Sequence, residues 1–186
     1  FISLNPEFIV LDTFQTAEEA LYDLPRLNPD IVIMDINLPG MSGIECIRKK
    51  RKKTPRTQFM MFTVYENDEK VFEALKAGAS GYLLKNTGLL QLVESLKELH
   101  SGGSPMSANI ARKLVTIFRE EHAEAEPITA LSKRENEILN LLSKGLLYKE
   151  IADQLTISVG TVRQHIHKIY EKVNVLFVAI KILSAF

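Results

Sequence analysis

The first half of the chain alternates between short unbroken apolar runs and longer stretches whose apolar residues recur every three or four positions. The runs are Phe8–Leu11, Ile31–Met34, Phe59–Phe62 and Tyr82–Leu84. The helical stretches are Ala17–Leu24, Gly43 to about Arg51, Glu69–Ala77 and Leu89–His100. Runs that are apolar at every position suit strands of a parallel sheet covered on both faces. Gly78 and Gly102 fall where helices should stop, in a role glycine fills by accepting a left-handed backbone. The pattern predicts a doubly wound α/β domain over residues 1–102. Only four strands are visible, and Phe1-Ile2-Ser3-Leu4 reads as the tail of a helix. An absent central strand would leave backbone groups unpaired. The first strand and most of the first helix are therefore expected upstream of Phe1, with a truncated natural domain as the other reading.

Residues 103–128 change character. Ser101-Gly102-Gly103-Ser104-Pro105 is a breaker cluster, Ala108–Arg119 can form a helix, and Glu120–Pro127 is acidic and poor in core residues. This predicts a linker containing one helix. Residues 129–186 carry helical periodicity throughout and predict a small all-α domain. Ser132-Lys133-Arg134-Glu135 has the form of a capping box, opening a helix with Ile138, Leu139, Leu141 and Leu142 inward and Gly145 at its end. Tyr148–Leu155 follows as a second helix. Ser158 is placed to cap a third, with Val162, Ile166, Ile169 and Val173 on one face. Two helices joined by so short a turn describe a helix-turn-helix. A fourth helix fits Phe177–Ala185.

Charge sharpens this division. The whole chain balances 23 Lys and Arg against 23 Asp and Glu. Residues 1–128 hold 15 basic and 18 acidic side chains, whereas residues 129–186 hold 8 basic and 5 acidic. A basic module joined to a mildly acidic one fits a DNA-contacting part linked to a part with another task. The single cysteine, Cys46, excludes an internal disulfide framework, and the four scattered histidines form no metal motif. No apolar run approaches the roughly 20 residues that span a bilayer. Nothing at the start reads as a secretory segment, so no membrane partner is expected and the cytoplasm is the expected compartment.

The candidate chemistry lies at three strand ends. Asp35 directly follows Ile31–Met34, which puts its carboxylate at the C-terminal edge of a parallel sheet, where open α/β folds place their chemistry. Thr63 ends the next strand and Lys85 follows the last. Taken singly, Asp35 also reads as a turn or helix cap, Thr63 as a β-former and Lys85 as a surface residue. Together they suit a phosphoryl acceptor: the carboxylate as nucleophile, the hydroxyl and ammonium holding phosphoryl oxygens. Such a transfer also calls for a divalent cation, which one carboxylate holds poorly.

The stretch from Pro29 to Gly43, Pro-Asp-Ile-Val-Ile-Met-Asp-Ile-Asn-Leu-Pro-Gly-Met-Ser-Gly, resembles the phosphoacceptor region of bacterial response-regulator receiver domains. Phe62-Thr63 and Ala77–Lys85 resemble their later signatures. Leu131–Val175 is similar to the LuxR-type helix-turn-helix of the NarL/FixJ class, above all in Leu131–Glu135, Lys149-Glu150-Ile151-Ala152 and Gly160–Ile166. The resemblance implies that Asp35 is phosphorylated by a sensor histidine kinase, with Thr63 and Lys85 binding the phosphoryl group. It implies Mg²⁺ held by Asp35, the backbone carbonyl of Asn37 and an acidic pair that this sequence does not contain. It implies a sheet order of 2-1-3-4-5, with the missing strand inside it. Tyr82 matches the switch aromatic, whose other reading is a half-buried strand tyrosine. Asn37 and Tyr65 match positions that tune autodephosphorylation. Ser42 and Val64 depart from the usual aspartate and small residue. The basic run Arg48–Lys53 reads mainly as the solvated end of a helix, where cations are favoured.

In a helix-turn-helix the second helix enters the major groove. With Val162, Ile166 and Ile169 inward, the outward candidates are Thr161, Arg163, Gln164, His167 and Lys168. Arg163 and Gln164 suit base edges. Thr161 and Lys168 suit phosphates, and Lys149 can contact the DNA backbone from the preceding helix. His165 is expected to be a packing residue. The fourth helix resembles a dimerisation helix, after a turn near Leu176 that looks two or three residues short. The expected protein is a phosphorylation-controlled transcriptional regulator binding promoter DNA as a homodimer. The alternative is a phosphorylation-independent DNA-binding or interaction protein with a degenerate receiver scaffold. An enzyme acting on a diffusible substrate has the least support.

Overall fold

The computed structural model describes residues 2–51, 54, 56–65, 67–121 and 131–183, with side chains for all of these except 68, 117–121 and 174–183. The chain divides into two compact units, Phe1–Ser101 and Gly102–Phe186.

The first unit follows the expected alternation: α1 (Ala17–Leu27), β1 (Ile31–Met34), α2 (Gly43–Lys50), β2 (Gln58–Thr63), α3 (Asp68–Ala77), β3 (Gly81–Leu84) and α4 (Leu89–His100). The three strands form one parallel sheet in the order β1-β2-β3. The starts of α1, α2 and α3 carry a side-chain cap readable in the sequence. Thr16, Ser42 and Asn67 side chains accept from the backbone N–H three residues on, at Glu19, Glu45 and Lys70. Gly78 ends α3 at φ 106°, in the left-handed region that favours glycine.

Alternation along the strands sorts their side chains to two faces. Met60 and Leu83 join Leu92, Leu96 and Leu99 of α4 in a buried cluster, with Ile2, Phe8, Ile31 and Phe62 packed against it. Phe59, Met61 and Tyr82, all fully buried, take the opposite parity. On the helical layers, α1 packs on α2 and α2 on α3. Strands β2 and β3 are thus covered on both faces, whereas β1 is only partly buried and its Ile33 is exposed. Cys46 is buried in α2, and burial pushes its thiol up to about 11.

One expected strand does not form. Phe8–Leu11 lies outside the sheet, and Ile9, Val10 and Leu11 are 86%, 43% and 52% exposed. A strand exists through its ladder partner. Among the described residues this segment has no ladder partner, and of its four residues only Phe8 is partly buried, against the Met60–Leu83 cluster. Residues Ile2–Leu4, read as a helix tail, form a short 3-10 helix.

The second unit is all helical: α5 (Ala108–Glu121), α6 (Lys133–Ser143), α7 (Tyr148–Leu155) and α8 (Val159–Leu183). The capping box forms as read, with Ser132 Oγ accepting from Glu135 N and Glu135 Oε2 accepting from Ser132 N. The core combines Ile138 and Leu139 of α6, Ile151 of α7, and Val162, Ile166 and Ile169 of α8, each fully buried. The stretch expected as a linker does contain one helix, α5, and Ile110, Ala111 and Leu114 on it are fully buried. Its acidic continuation over 122–128, and the expected boundary after it, lie outside the described residues.

The expected third and fourth helices are one. Helix α8 runs without a break through the turn anticipated near Leu176, because no glycine or proline lies between Gly160 and its end at Leu183. The side chains proposed to form a dimerisation face from Phe177 onward lie outside the described residues, as do Lys52 and Lys53 of the basic run. Among the described residues no helix is long and apolar enough to cross a membrane.

The α2 start also fixes the loop after β1. A Cβ on Gly43 would lie 1.9 Å from the Asp35 carbonyl oxygen and 2.6 Å from Met34 Cγ. Gly43→Ala is therefore expected to lower stability by about 1–3 kcal/mol, as overpacking against fixed atoms does. Urea denaturation of the full chain measures this, and an unchanged midpoint would show that the loop yields freely.

Candidate functional site

Parallel register carries three separated residues to one edge. Met34 is level with Met61 and Thr63 with Leu84, so the chain leaves all three strands at the same end of the sheet. Asp35, Thr63 and Lys85 meet there. The Lys85 Nζ donates to Asp35 Oδ2 at 2.5 Å, and the pair is partly exposed, with side chains 42% and 23% accessible. The Thr63 hydroxyl is near enough to favour the ionised carboxylate, and the Asn37 N–H lies 3.4 Å from Asp35 Oδ1. Burial opposes ionisation of Asp35, but the contacts with Lys85, Thr63 and Asn37, with the charge of Lys85, outweigh it. The carboxyl is held below its ordinary value.

Asn37 and Val64 are exposed, the latter at 68%, and Tyr65 stands at the rim at 36%. Ser42 caps α2, its Oγ accepting the Glu45 N–H at 3.2 Å. Tyr82 takes the inward position and is fully buried. Its hydroxyl donates to the Tyr65 carbonyl at 2.7 Å, and the Tyr65 N–H donates to Thr63 Oγ1 at 3.4 Å. A chain of contacts therefore leads from Asp35 through Thr63 and Tyr65 to Tyr82. Burial, then the nearby negative charge of Asp35, push the Tyr82 phenol upward, so it stays a neutral donor.

Two supporting residues escaped the sequence reading. Gly43 brings α2 against the Asp35 backbone, and only its place in the Gly40-Met41-Ser42-Gly43 turn could have signalled that. Glu18 on α1 accepts the Met41 N–H at 2.9 Å and so holds the far end of the same loop, with no local signal at all.

The second unit presents the other candidate group. Ser158 Oγ accepts the Thr161 N–H at 3.0 Å and starts α8 as expected. Thr161, Gln164 and Lys168 recur at helical spacing on one outward stripe, and Gln164 and Lys168 are exposed. Arg163 is half-buried, and its Nε has no hydrogen-bond partner. Lys149 is exposed near the start of α7. His167 differs from expectation in one respect: its Nδ1 is engaged by Ser104 Oγ at 3.0 Å, and its Nε2 lies 3.7 Å from Glu171. His165 packs with a buried, unpartnered Nδ1. Its pKa is lowered by burial and by the charges of Lys168 and Arg134, against Glu135. Glu135 itself is 4% exposed and binds Lys172 Nζ at 2.6 Å, tying α6 to α8.

A strand-end carboxylate held by lysine and threonine, with a separate helix-turn-helix, defines a class, and comparison with known proteins agrees. The response regulator receiver domain model matches residues 2–97, and that of bacterial regulatory proteins of the luxR family matches residues 129–176. The oxygen regulatory protein NreC of Staphylococcus carnosus is 34% identical, over 93% of this chain and 82% of that protein. The nitrate/nitrite response regulator protein NarL of Escherichia coli K12 is 33% identical, over 93% and 81%. A solved LuxR-family two-component response regulator from Aurantimonas sp. SI85-9A1 is 32% identical with a TM-score of 0.56, over 64% of this chain and 83% of that one. The chain belongs to the two-domain response regulators that join a receiver to a LuxR-type helix-turn-helix. It is a phosphorylation-linked, DNA-binding transcriptional regulator rather than a catalytic enzyme.

Receiver domains as a family use Mg²⁺ in phosphoryl transfer. Among the described residues no group of three or more His, Cys, Asp or Glu gathers to hold an ion.

The lowered Asp35 pKa has a testable sign. The contacts stabilise the fold above the ordinary aspartate value of 3.8, and that contribution is lost as pH falls through the lower folded value. Carboxyl ¹³C NMR should find Asp35 titrating below 3.8 and moving upward in Lys85→Met. An unmoved midpoint would show that Lys85 does not hold the carboxylate.

Proposed function

We propose that Asp35 accepts a phosphoryl group from a sensor histidine kinase, that Thr63 and Lys85 hold it, and that α8 reads promoter DNA under its control. The observation that carries this reading is the Lys85 ammonium resting on the Asp35 carboxylate with the Thr63 hydroxyl beside it. An Asp35 oxygen attacks phosphorus of the kinase phosphohistidine. The new O–P bond forms as the P–N bond breaks, and the imidazole nitrogen leaves with the electron pair. Lys85 and Thr63, already at the site, turn to the phosphoryl oxygens, where added negative charge rewards them. Asn37 and Tyr65 flank the product and govern access of water. Asp35 and the Asn37 carbonyl would contribute two oxygens to a Mg²⁺ ion, which would neutralise charge on the phosphoryl oxygens.

Movement of Thr63 toward the phosphoryl group strains its link to Tyr65 and thereby the partner of the buried Tyr82 hydroxyl. That sequence supports Tyr82 as the switch residue. On α8, Arg163 and Gln164 read base edges, while Thr161, Lys168 and Lys149 grip phosphates. One such module has a small footprint, so two copies act together on paired half-sites. A cytoplasmic location, where kinase and promoter are both present, accords with this reading.

Incubation with ³²P-labelled kinase should label the wild-type chain and leave Asp35→Ala unlabelled; label on the variant would refute the site. Wild type that takes up none would favour the scaffold alternative. Arg163→Ala should lose about 1–3 kcal/mol of base discrimination, measured by competition between the preferred duplex and random DNA. Equal losses on both would reduce Arg163 to a phosphate contact.

A further inference from the structure

The second unit begins at Gly102, and its first residues are built into the helix-turn-helix rather than draped over it. Ser104 is fully buried and Met106 is 7% exposed. Three side chains converge on this short segment. The Ser104 hydroxyl and His167 Nδ1 share a hydrogen bond of 3.0 Å. The Tyr148 hydroxyl donates to the Ser104 carbonyl at 3.4 Å, and the Tyr170 hydroxyl donates to the Pro105 carbonyl at 3.1 Å. Tyr148 lies on α7, and His167 and Tyr170 lie about one helical turn apart on α8. A buried carbonyl left without a donor is costly, so the Tyr170 bond constrains where α8 can sit and the Tyr148 bond where α7 can sit.

We propose that Ser104-Pro105-Met106 is a brace that sets the position of the reading helix, and that His167 is a positioning residue acting through Ser104 rather than a base-reading group. The proposal rests on the assignment of α8 as the DNA reader. His167 has Nδ1 committed to a buried serine, while its Nε2 stands 3.7 Å from the carboxylate of Glu171, its i+4 neighbour. The chain enters the second unit through this brace, and Gly102, at φ 83°, lies two residues before it.

The two roles of His167 are separable by the length of the replacement. Asparagine ends at the depth of Nδ1 and can still meet Ser104, whereas glutamine ends at the depth of Nε2 and cannot. Full-length Ser104→Ala, His167→Asn, His167→Gln and the Ser104→Ala/His167→Gln double variant are compared with wild type. The DNA probe is the duplex that wild type enriches from a randomised pool, and the second readout is amide hydrogen exchange over residues 159–173. Ser104→Ala and His167→Gln should each speed exchange and weaken binding about twofold to tenfold, the range of one net hydrogen bond. The double variant should be no worse than either, and His167→Asn should match wild type. Impairment of His167→Asn, or normal exchange and binding in Ser104→Ala, would overturn the brace. If wild type enriches no duplex, the assignment of α8 as reader fails, while the exchange data still judge the brace by itself.

Discussion

The contact between the Lys85 ammonium and the Asp35 carboxylate depends on nothing local to either residue. They are fifty positions apart and meet because three parallel strands end in register, with Thr63 on the strand between them. A partly exposed ion pair adds little to stability, so its importance is electrostatic rather than structural. It holds a cation against a carboxylate oxygen at the sheet edge, where the proposed phosphoryl group would arrive. The loop that presents Asp35 is fixed from two sides, by close approach of Gly43 and by the Glu18 bond to Met41.

The same edge is connected to the interior. Tyr82 is fully buried yet carries a polar atom, and a buried hydroxyl needs a partner. Its partner is the carbonyl of Tyr65, whose own N–H bonds to Thr63. Any displacement of Thr63 therefore acts on a hydrogen bond inside the core. Such an arrangement has few intermediate positions, because close-packed interiors switch between discrete states rather than deforming smoothly.

The second unit solves a different problem, that of holding a reading helix with a small core. Its constraints are mostly polar contacts at helix ends and edges: the Ser132–Glu135 capping box, the Glu135–Lys172 ion pair and the Ser158 cap. Helix α5, from the stretch that looked like a tether, supplies Ile110, Ala111 and Leu114 to the buried interior. Apolar area that a helix-turn-helix of this size would otherwise leave wet is thereby covered.

Much of this was written in the chain. Periodicity located β1, β2, β3 and the helices between them, the caps at Thr16, Ser42, Ser132 and Ser158 are local chemistry, and strand ends marked Asp35, Thr63 and Lys85. Two elements were misjudged, one for want of a ladder partner and one for want of a local helix breaker. Phe8–Leu11 has strand composition but no partner to make it a strand, and the turn near Leu176 was inferred where nothing in the residues breaks a helix. His167 faces outward by periodicity, yet a serine 63 positions earlier claims its ring. Sequence alone determined which segments coil, which extend and which groups can do chemistry, because backbone propensity and capping act over a few residues. Tertiary structure alone decided which of those groups meet, because hydrogen bonds and buried contacts are set by distance in space and not along the chain.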